Sequence, residues 1–179
     1  YYLTSCIAYS LRASQGAPLT GSAACRQGCP NFLYCIANNQ RVRERTPSGS
    51  ITGENKILVM DDQENIRDVV VRSLKRMGCE VATSMEGAEA IEKYRDALQS
   101  GRPFDAVILD LTIPGGMGGG EAIKQLKEID PAIAAIVASG YSDDPIMKDY
   151  SDYGFKGVIS KPYRIKVLRA VLNEALNEN

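Results

Sequence analysis

From Lys56 onward, short unbroken apolar runs alternate with stretches whose apolar residues recur every three or four positions. Ile57-Leu58-Val59-Met60 is such a run, and it ends on Asp61-Asp62. An apolar run of about four to eight residues between polar breakers predicts a strand buried on both faces. Ile66, Val69, Val70, Leu74 and Met77 then follow at helical spacing and stop at Gly78. A weaker strand is expected over 80–84. A second helix carries Ala90, Ile91, Tyr94 and Leu98 and closes at Ser100-Gly101 and Pro103. Ala106-Val107-Ile108-Leu109 runs straight into Asp110 and predicts the third strand. Ala122, Ile123, Leu126 and Ile129 mark a third helix that ends before Pro131. A fourth strand over 134–138 leads into Ser139-Gly140, and a short helix over 145–153 opens with Pro at its first turn. Gly157-Val158-Ile159 is a fifth strand before Ser160-Lys161-Pro162, and Ile165, Leu168, Val171, Leu172 and Leu176 give the closing helix.

Strands and helices in strict alternation imply right-handed crossovers and a parallel sheet covered on both faces. The expected fold is therefore α/β, a flavodoxin-like, doubly wound sheet of five strands in the order 2-1-3-4-5 with five helices. It occupies residues 56–179. Residues 1–55 differ: turn signals punctuate 1–37, and 38–55 is polar with Arg41, Arg43, Arg45, Pro47, Gly49 and Gly53, which reads as a linker. The extension carries five Arg and two Glu, a net +3, whereas 56–179 carries a net −4.

Composition narrows the chemistry. The 179 residues are 44% hydrophobic and 24% charged with a net charge of −1, so bulk electrostatics favour neither nucleic acid nor membrane. The absence of His removes imidazole acid–base catalysis and His metal ligands. Cys6, Cys25, Cys29 and Cys35 are spaced too widely for the usual zinc knuckles and read as ordinary thiols. No apolar stretch approaches the ~20 residues of a membrane span. No charged-then-apolar leader opens the chain, so a cytoplasmic address is expected. Because it starts at Tyr1 rather than Met, the chain is expected to be a piece or a processed product of a longer one.

In a parallel sheet, the carboxyl ends of the strands share one edge. Asp61-Asp62, Asp110, Ser139 and Lys161 each close or follow a strand, and four of those strands are neighbours in the proposed order. Three carboxylates crowded together repel, and a hard divalent cation relieves the repulsion. Magnesium suits the set, with manganese a substitute. Asp62 and Asp110 are its direct ligands, Asp61 acts through water, and the Thr112 backbone carbonyl reaches back to it. Lys161 pairs with Asp110 or with an incoming phosphoryl oxygen, and Ser139 donates to another. An Asp110 oxygen can then attack phosphorus to give an aspartyl phosphate. A cis Lys161–Pro162 bond would aim the lysine into the crevice.

These residues in this order resemble the receiver domain of two-component response regulators. The wording around Asp110 and from Gly154 to Tyr163 is similar to the carboxyl-terminal receiver of a hybrid sensor histidine kinase. The resemblance implies magnesium-dependent acceptance of a phosphoryl group on Asp110 from a histidine kinase or histidine phosphotransfer protein. It implies that Ser139 is then drawn inward, reshaping the face around the fourth helix and fifth strand. It implies a phosphoacceptor rather than an enzyme, at most with slow self-phosphorylation from small donors and self-dephosphorylation. A homodimer is a further partner, and no DNA-binding domain or nucleotide box is visible in the sequence.

Two other functions compete. A magnesium-dependent phosphohydrolase usually sets a second acid two residues after its nucleophile, where this chain has Thr112. A binding module that signals without phosphate would have no use for the acidic set. The chain also departs from the receiver pattern: Val158 stands where an aromatic switch is common, and Tyr163 stands where Phe is usual. The glycine-rich stretch 115–120 fits no nucleotide loop and reads as a flexible turn. Cys79 reads as a partly buried small residue.

Overall fold

The computed structural model describes residues 54–177 apart from residue 142. The expectations for 1–53, including those for Cys6, Cys25, Cys29, Cys35 and the Arg41–Arg45 run, lie outside the described residues. Five strands, β1 (Lys56–Met60), β2 (Glu80–Ser84), β3 (Ala106–Asp110), β4 (Ala134–Ser139) and β5 (Gly157–Ser160), form one sheet in the order β2-β1-β3-β4-β5. Every pairing is parallel. Helices α1 (Glu64–Arg76), α2 (Gly87–Gln99), α3 (Gly119–Ile129), α4 (Pro145–Lys148) and α5 (Ile165–Asn177) make the crossovers and the closing layer.

The unbroken apolar runs are explained by two cores. Side chains alternate across a strand, so Leu58 and Met60 face one way and Ile57 and Val59 the other. The first pair packs with Ala90, Ile91 and Tyr94 of α2 and Ala122, Ile123 and Leu126 of α3. The second packs with Val70 and Leu74 of α1 and Leu168 and Leu172 of α5. Strands β3 and β4 are buried along their whole length, whereas the edge strand β2 is buried only at Ser84. Truncating a central residue such as the fully buried Ile108 to Ala is expected to cost about 2–5 kcal/mol.

Three local expectations are corrected. The fourth helix does not reach residue 153. It starts as expected, with Pro145 in the first turn and the Asp144 side chain accepting from Ile146 N at 2.8 Å, but it stops at Lys148. Asp149-Tyr150-Ser151-Asp152 follows as turns, because Asp and Ser offer the backbone local alternatives to a helix. The 115–120 stretch is a turn only in its first part. Gly118 caps α3, Gly119 and Gly120 form its first residues, and a Cβ on Gly119 would lie 2.8 Å from the Asp110 carbonyl oxygen. Glycine is what lets α3 start against the end of β3. Cys79 is buried rather than partly buried, at 5% exposure, and burial first, then the charge of Asp105, pushes its thiol pKa up, away from reactivity.

Candidate functional site

Register brings the acids together. Met60 of β1 pairs with Leu109 of β3, so Asp61 and Asp110, the next residues, stand side by side at the carboxyl edge. Asp62 follows on the loop, and one oxygen from each of Asp61, Asp62 and Asp110 lies within 4.8 Å of the others. Lys161 arrives from beyond β5 across β4: its backbone N–H donates to the Ser139 carbonyl at 2.8 Å, and the Lys161–Pro162 bond is cis. Its ammonium donates to Asp110 Oδ2 at 2.7 Å and sits 2.6 Å from Asp61 Oδ2.

One ammonium between buried carboxylates leaves an excess of negative charge. Burial pushes the Asp110 pKa up, and the Asp61 charge adds to that, against the pull of Lys161. For Lys161, burial works to lower the pKa, but the hydrogen bonds and charges of Asp110 and Asp61 outweigh it and the pKa is raised. The lysine is therefore held charged. Asp61 also uses its second oxygen locally, with Oδ1 accepting from Gln63 N at 3.0 Å. Asp62 Oδ1 is buried with no hydrogen-bond partner. A buried carboxylate oxygen without a partner is costly. With two further carboxylates beside it, it fits a hard cation that takes oxygen ligands, so the residues present suit magnesium.

The other expected residues are placed as follows. Thr112 lies on the loop after β3, with its N–H directed at Asp110 Oδ1 at 3.4 Å. Ser139 ends β4 and is buried, and its Oγ accepts from Tyr141 N at 3.0 Å. Strand order and register therefore gather Asp61, Asp62, Asp110, Thr112, Ser139 and Lys161 at one sheet edge.

Sequence reading missed three contributors. Arg67, in the second turn of α1, donates from Nη1 to the carbonyls of Asp61 at 2.6 Å and Asp62 at 2.9 Å, pinning the acidic loop. Its place one helical turn into α1, beneath a loop with free carbonyls, is the signal that could have found it. Ser84 Oγ and the Tyr163 hydroxyl are buried without hydrogen-bond partners, one at the carboxyl end of β2 and one two residues past Lys161. Nothing in the sequence marks a hydroxyl as unpartnered. The pocket beside Asp62 is lined further by Met85, Glu86, Glu89 and the 113–116 segment.

A family model described as the response regulator receiver domain matches residues 57–173. The chain is 32% identical over 124 residues to the chemotaxis protein CheY of Bacillus subtilis, covering 69% of this chain and 98% of that protein. It is 27% identical over 142 residues to the sensor kinase CckA of Brucella abortus, covering 79% of this chain but 14% of the kinase. Among solved structures, it is similar to the response regulator protein TrrA of Thermotoga maritima in complex with Mg(2+)-BeF. That match has a TM-score of 0.60 and 26% identity, covering 68% of this chain and 99% of that one. No helix among the described residues is long and apolar enough to cross a membrane.

Proposed function

The chain belongs to the response regulator receiver family of two-component systems, and from that premise we propose that Asp110 is its phosphoacceptor. The observation that carries this reading is the Lys161 ammonium, 2.7 Å from Asp110 Oδ2 and 2.6 Å from Asp61 Oδ2. It opposes the burial that raises the Asp110 pKa and so favours the ionised oxygen, the nucleophile that phosphoryl transfer requires.

The donor is a phosphorylated histidine of a kinase or a phosphotransfer protein. An Asp110 oxygen forms the new P–O bond as the P–N bond to the donor imidazole breaks, and the leaving nitrogen keeps the electron pair and takes up a proton. Asp62 and Asp110 would hold a magnesium ion directly, Asp61 would hold it through water, and the Thr112 carbonyl would complete the protein's share. When bound, the metal neutralises charge on the transferring phosphoryl oxygens. Manganese belongs to the same oxygen-seeking octahedral class. Lys161 and the Ser139 hydroxyl contact the phosphoryl oxygens, and Ser139 leaves its Tyr141 N–H contact to do so. That exchange is the switch that alters the face around α4 and β5. The receiver unit runs from 56 to 179 and works in the cytoplasm, and a second copy of the chain is one partner for the altered face.

No acid stands two residues past Asp110, where Thr112 lies, so the leaving group of a phosphomonoester has no general acid at that position. The protein is a phosphoacceptor with at most slow self-phosphorylation and self-dephosphorylation. Incubation with acetyl phosphate and magnesium is expected to give a phosphoryl adduct by intact mass. The adduct is expected to be absent in Asp110→Asn and absent when magnesium is chelated. An adduct retained in Asp110→Asn would move the acceptor elsewhere. Phosphorylation-independent partner binding is the competing outcome if no small donor reacts.

A further inference from the structure

Arg67 reaches the backbone of two of the three clustered acids, yet among the described residues it forms an ion pair with no carboxylate. Its donors go to carbonyls instead. Nη1 donates to the Asp61 carbonyl at 2.6 Å and to the Asp62 carbonyl at 2.9 Å, and the Arg67 backbone N–H donates to the Gln63 carbonyl at 3.0 Å. The two side-chain bonds fall on the peptide groups that flank the Asp62 Cα. A peptide group is rigid and planar, so holding both flanking planes fixes φ and ψ of Asp62, and with them the direction of its side chain. The loop needs such a hold. β1 ends at Met60, and Gln63, the N-cap of α1, makes no side-chain cap bond. Asp61 Oδ1 contributes one bond, from Gln63 N at 3.0 Å, while Asp62 Oδ1 has no partner.

A guanidinium bonded to the Asp62 carboxylate would occupy the oxygens that a cation needs. Bonded to the carbonyls, it sets the direction of the carboxylate and leaves those oxygens open. Direction matters for magnesium, which demands near-ideal octahedral geometry. We propose that Arg67 is a positioning residue for the divalent cation: by gripping the carbonyls on either side of the Asp62 Cα, it presets that carboxylate as a ligand. The proposal rests on the reading of the acidic set as the magnesium site that serves Asp110. Charge and position act in opposite senses here. Arg67 is a cation close to a cation site, so its charge alone weakens magnesium binding, whereas its grip strengthens it. Groups that orient a metal ligand are typically worth about 10- to 100-fold in metal affinity, enough for the grip to win.

The test titrates magnesium into the full chain by calorimetry, well below the melting temperature of each variant in chelator. Arg67→Gln removes the charge and both bonds, and it is expected to bind magnesium about tenfold more weakly than the natural protein. Arg67→Lys keeps the charge. Because both bonds come from one nitrogen, the lysine ammonium can make them again, but its shorter stem cannot keep both at full strength. Its affinity is expected to fall about threefold, between the other two. A glutamine variant that binds magnesium as tightly as the natural protein, or more tightly, overturns the proposal, since charge then outweighs position or Arg67 serves the fold alone. A lysine variant equal to the natural protein also overturns it, and this arm stands even where the glutamine variant does not fold. So does a lysine variant no tighter than the glutamine one. If the natural protein itself binds no magnesium, the reading of the acidic set fails, an outcome distinct from the others because it appears before any substitution.

Discussion

At the amino edge of the sheet, Lys56 sets its ammonium 4.6 Å from the Phe104 ring centroid, donates to the Arg102 carbonyl at 3.1 Å and lies 4.0 Å from Glu80. Arg102 donates to Glu80 at 2.7 Å, and Asp105 accepts from Lys56 N at 2.7 Å. Two cations meet two acids, and each finds a partner. At the carboxyl edge, three acids crowd together, one lysine pairs with Asp61 and Asp110, and Asp62 Oδ1, Ser84 Oγ and the Tyr163 hydroxyl are buried without hydrogen bonds. The same residue types serve stability at one edge and reactivity at the other. What separates the edges is whether the polar groups satisfy one another or are left over for something that arrives.

The sharpest way to break that contrast is to remove Lys161. Lys161→Met leaves two buried carboxylates unpaired, and a loss of about 3–5 kcal/mol at neutral pH is expected by urea denaturation. The pH dependence follows from the two pKa directions, measured in chelator. A carboxyl raised on folding, as Asp110 is, contributes stability that is complete below the unfolded value of about 3.9 and is lost as pH rises through the folded value. Asp110→Asn is expected to remove that decline. Lys161, also raised, contributes stability that is complete below about 10.4 and is lost as pH climbs through its folded value, and Lys161→Met is expected to remove that loss.

Magnesium is next in size. At a hundred times its dissociation constant it is expected to add about 2.7 kcal/mol. Asp62→Ala is expected to erase that gain and, in chelator, to be more stable than the natural protein by about 1–3 kcal/mol, since it deletes a charge and a buried oxygen without a partner. A stabilising loss of charge at one edge, against a destabilising one at the other, would be the clearest sign that the edges differ in kind. If Asp62→Ala is less stable than the natural protein in chelator, the claim that Asp62 waits for a ligand fails.

Gly119→Ala probes the floor of the site. Its Cβ would lie 2.8 Å from the Asp110 carbonyl and 3.0 Å from Leu109 Cβ, so overpacking is expected to cost about 1–3 kcal/mol. Gly140→Ala meets nothing within 4 Å and is expected to stay within about 0.5 kcal/mol of the natural protein. Both are read from the shift in denaturation midpoint. Equal costs would mean that the glycines after β3 and β4 are interchangeable spacers.

The difference between Gly119 and Gly140 also shows what the chain discloses before it folds. Apolar runs such as 106–109, bounded by breakers, reveal the strands, and their alternation reveals the order of the sheet. Once the order is known, Asp61, Asp110 and Lys161 must share an edge, because strand ends of one polarity do. Close approach is less legible. Six residues of mostly glycine look alike in sequence, yet two of them open a helix against a carbonyl. The end of α4 was also hidden, because Asp149 and Ser151 tip a balance between helix and turn that periodicity does not weigh. Arg67 looks like any surface arginine of an amphipathic helix until the carbonyls of Asp61 and Asp62 are found above it.

The smallest effect belongs to the amino edge. Arg102→Ala removes a pair whose side chains are 68% and 50% exposed, so solvent already screens it and long side chains must be ordered to make it. The expected loss is under about 1 kcal/mol, shrinking further in high salt. Lys56 still covers Phe104 and still lies beside Glu80 in the variant, so no buried charge is stranded. A double-mutant cycle of Arg102→Ala with Glu80→Gln measures the pair itself. A coupling of several kcal/mol would show that an exposed, mutually satisfied cluster can hold as much energy as the buried, unbalanced one. Satisfaction would then no longer mark off the edge that binds from the edge that merely holds.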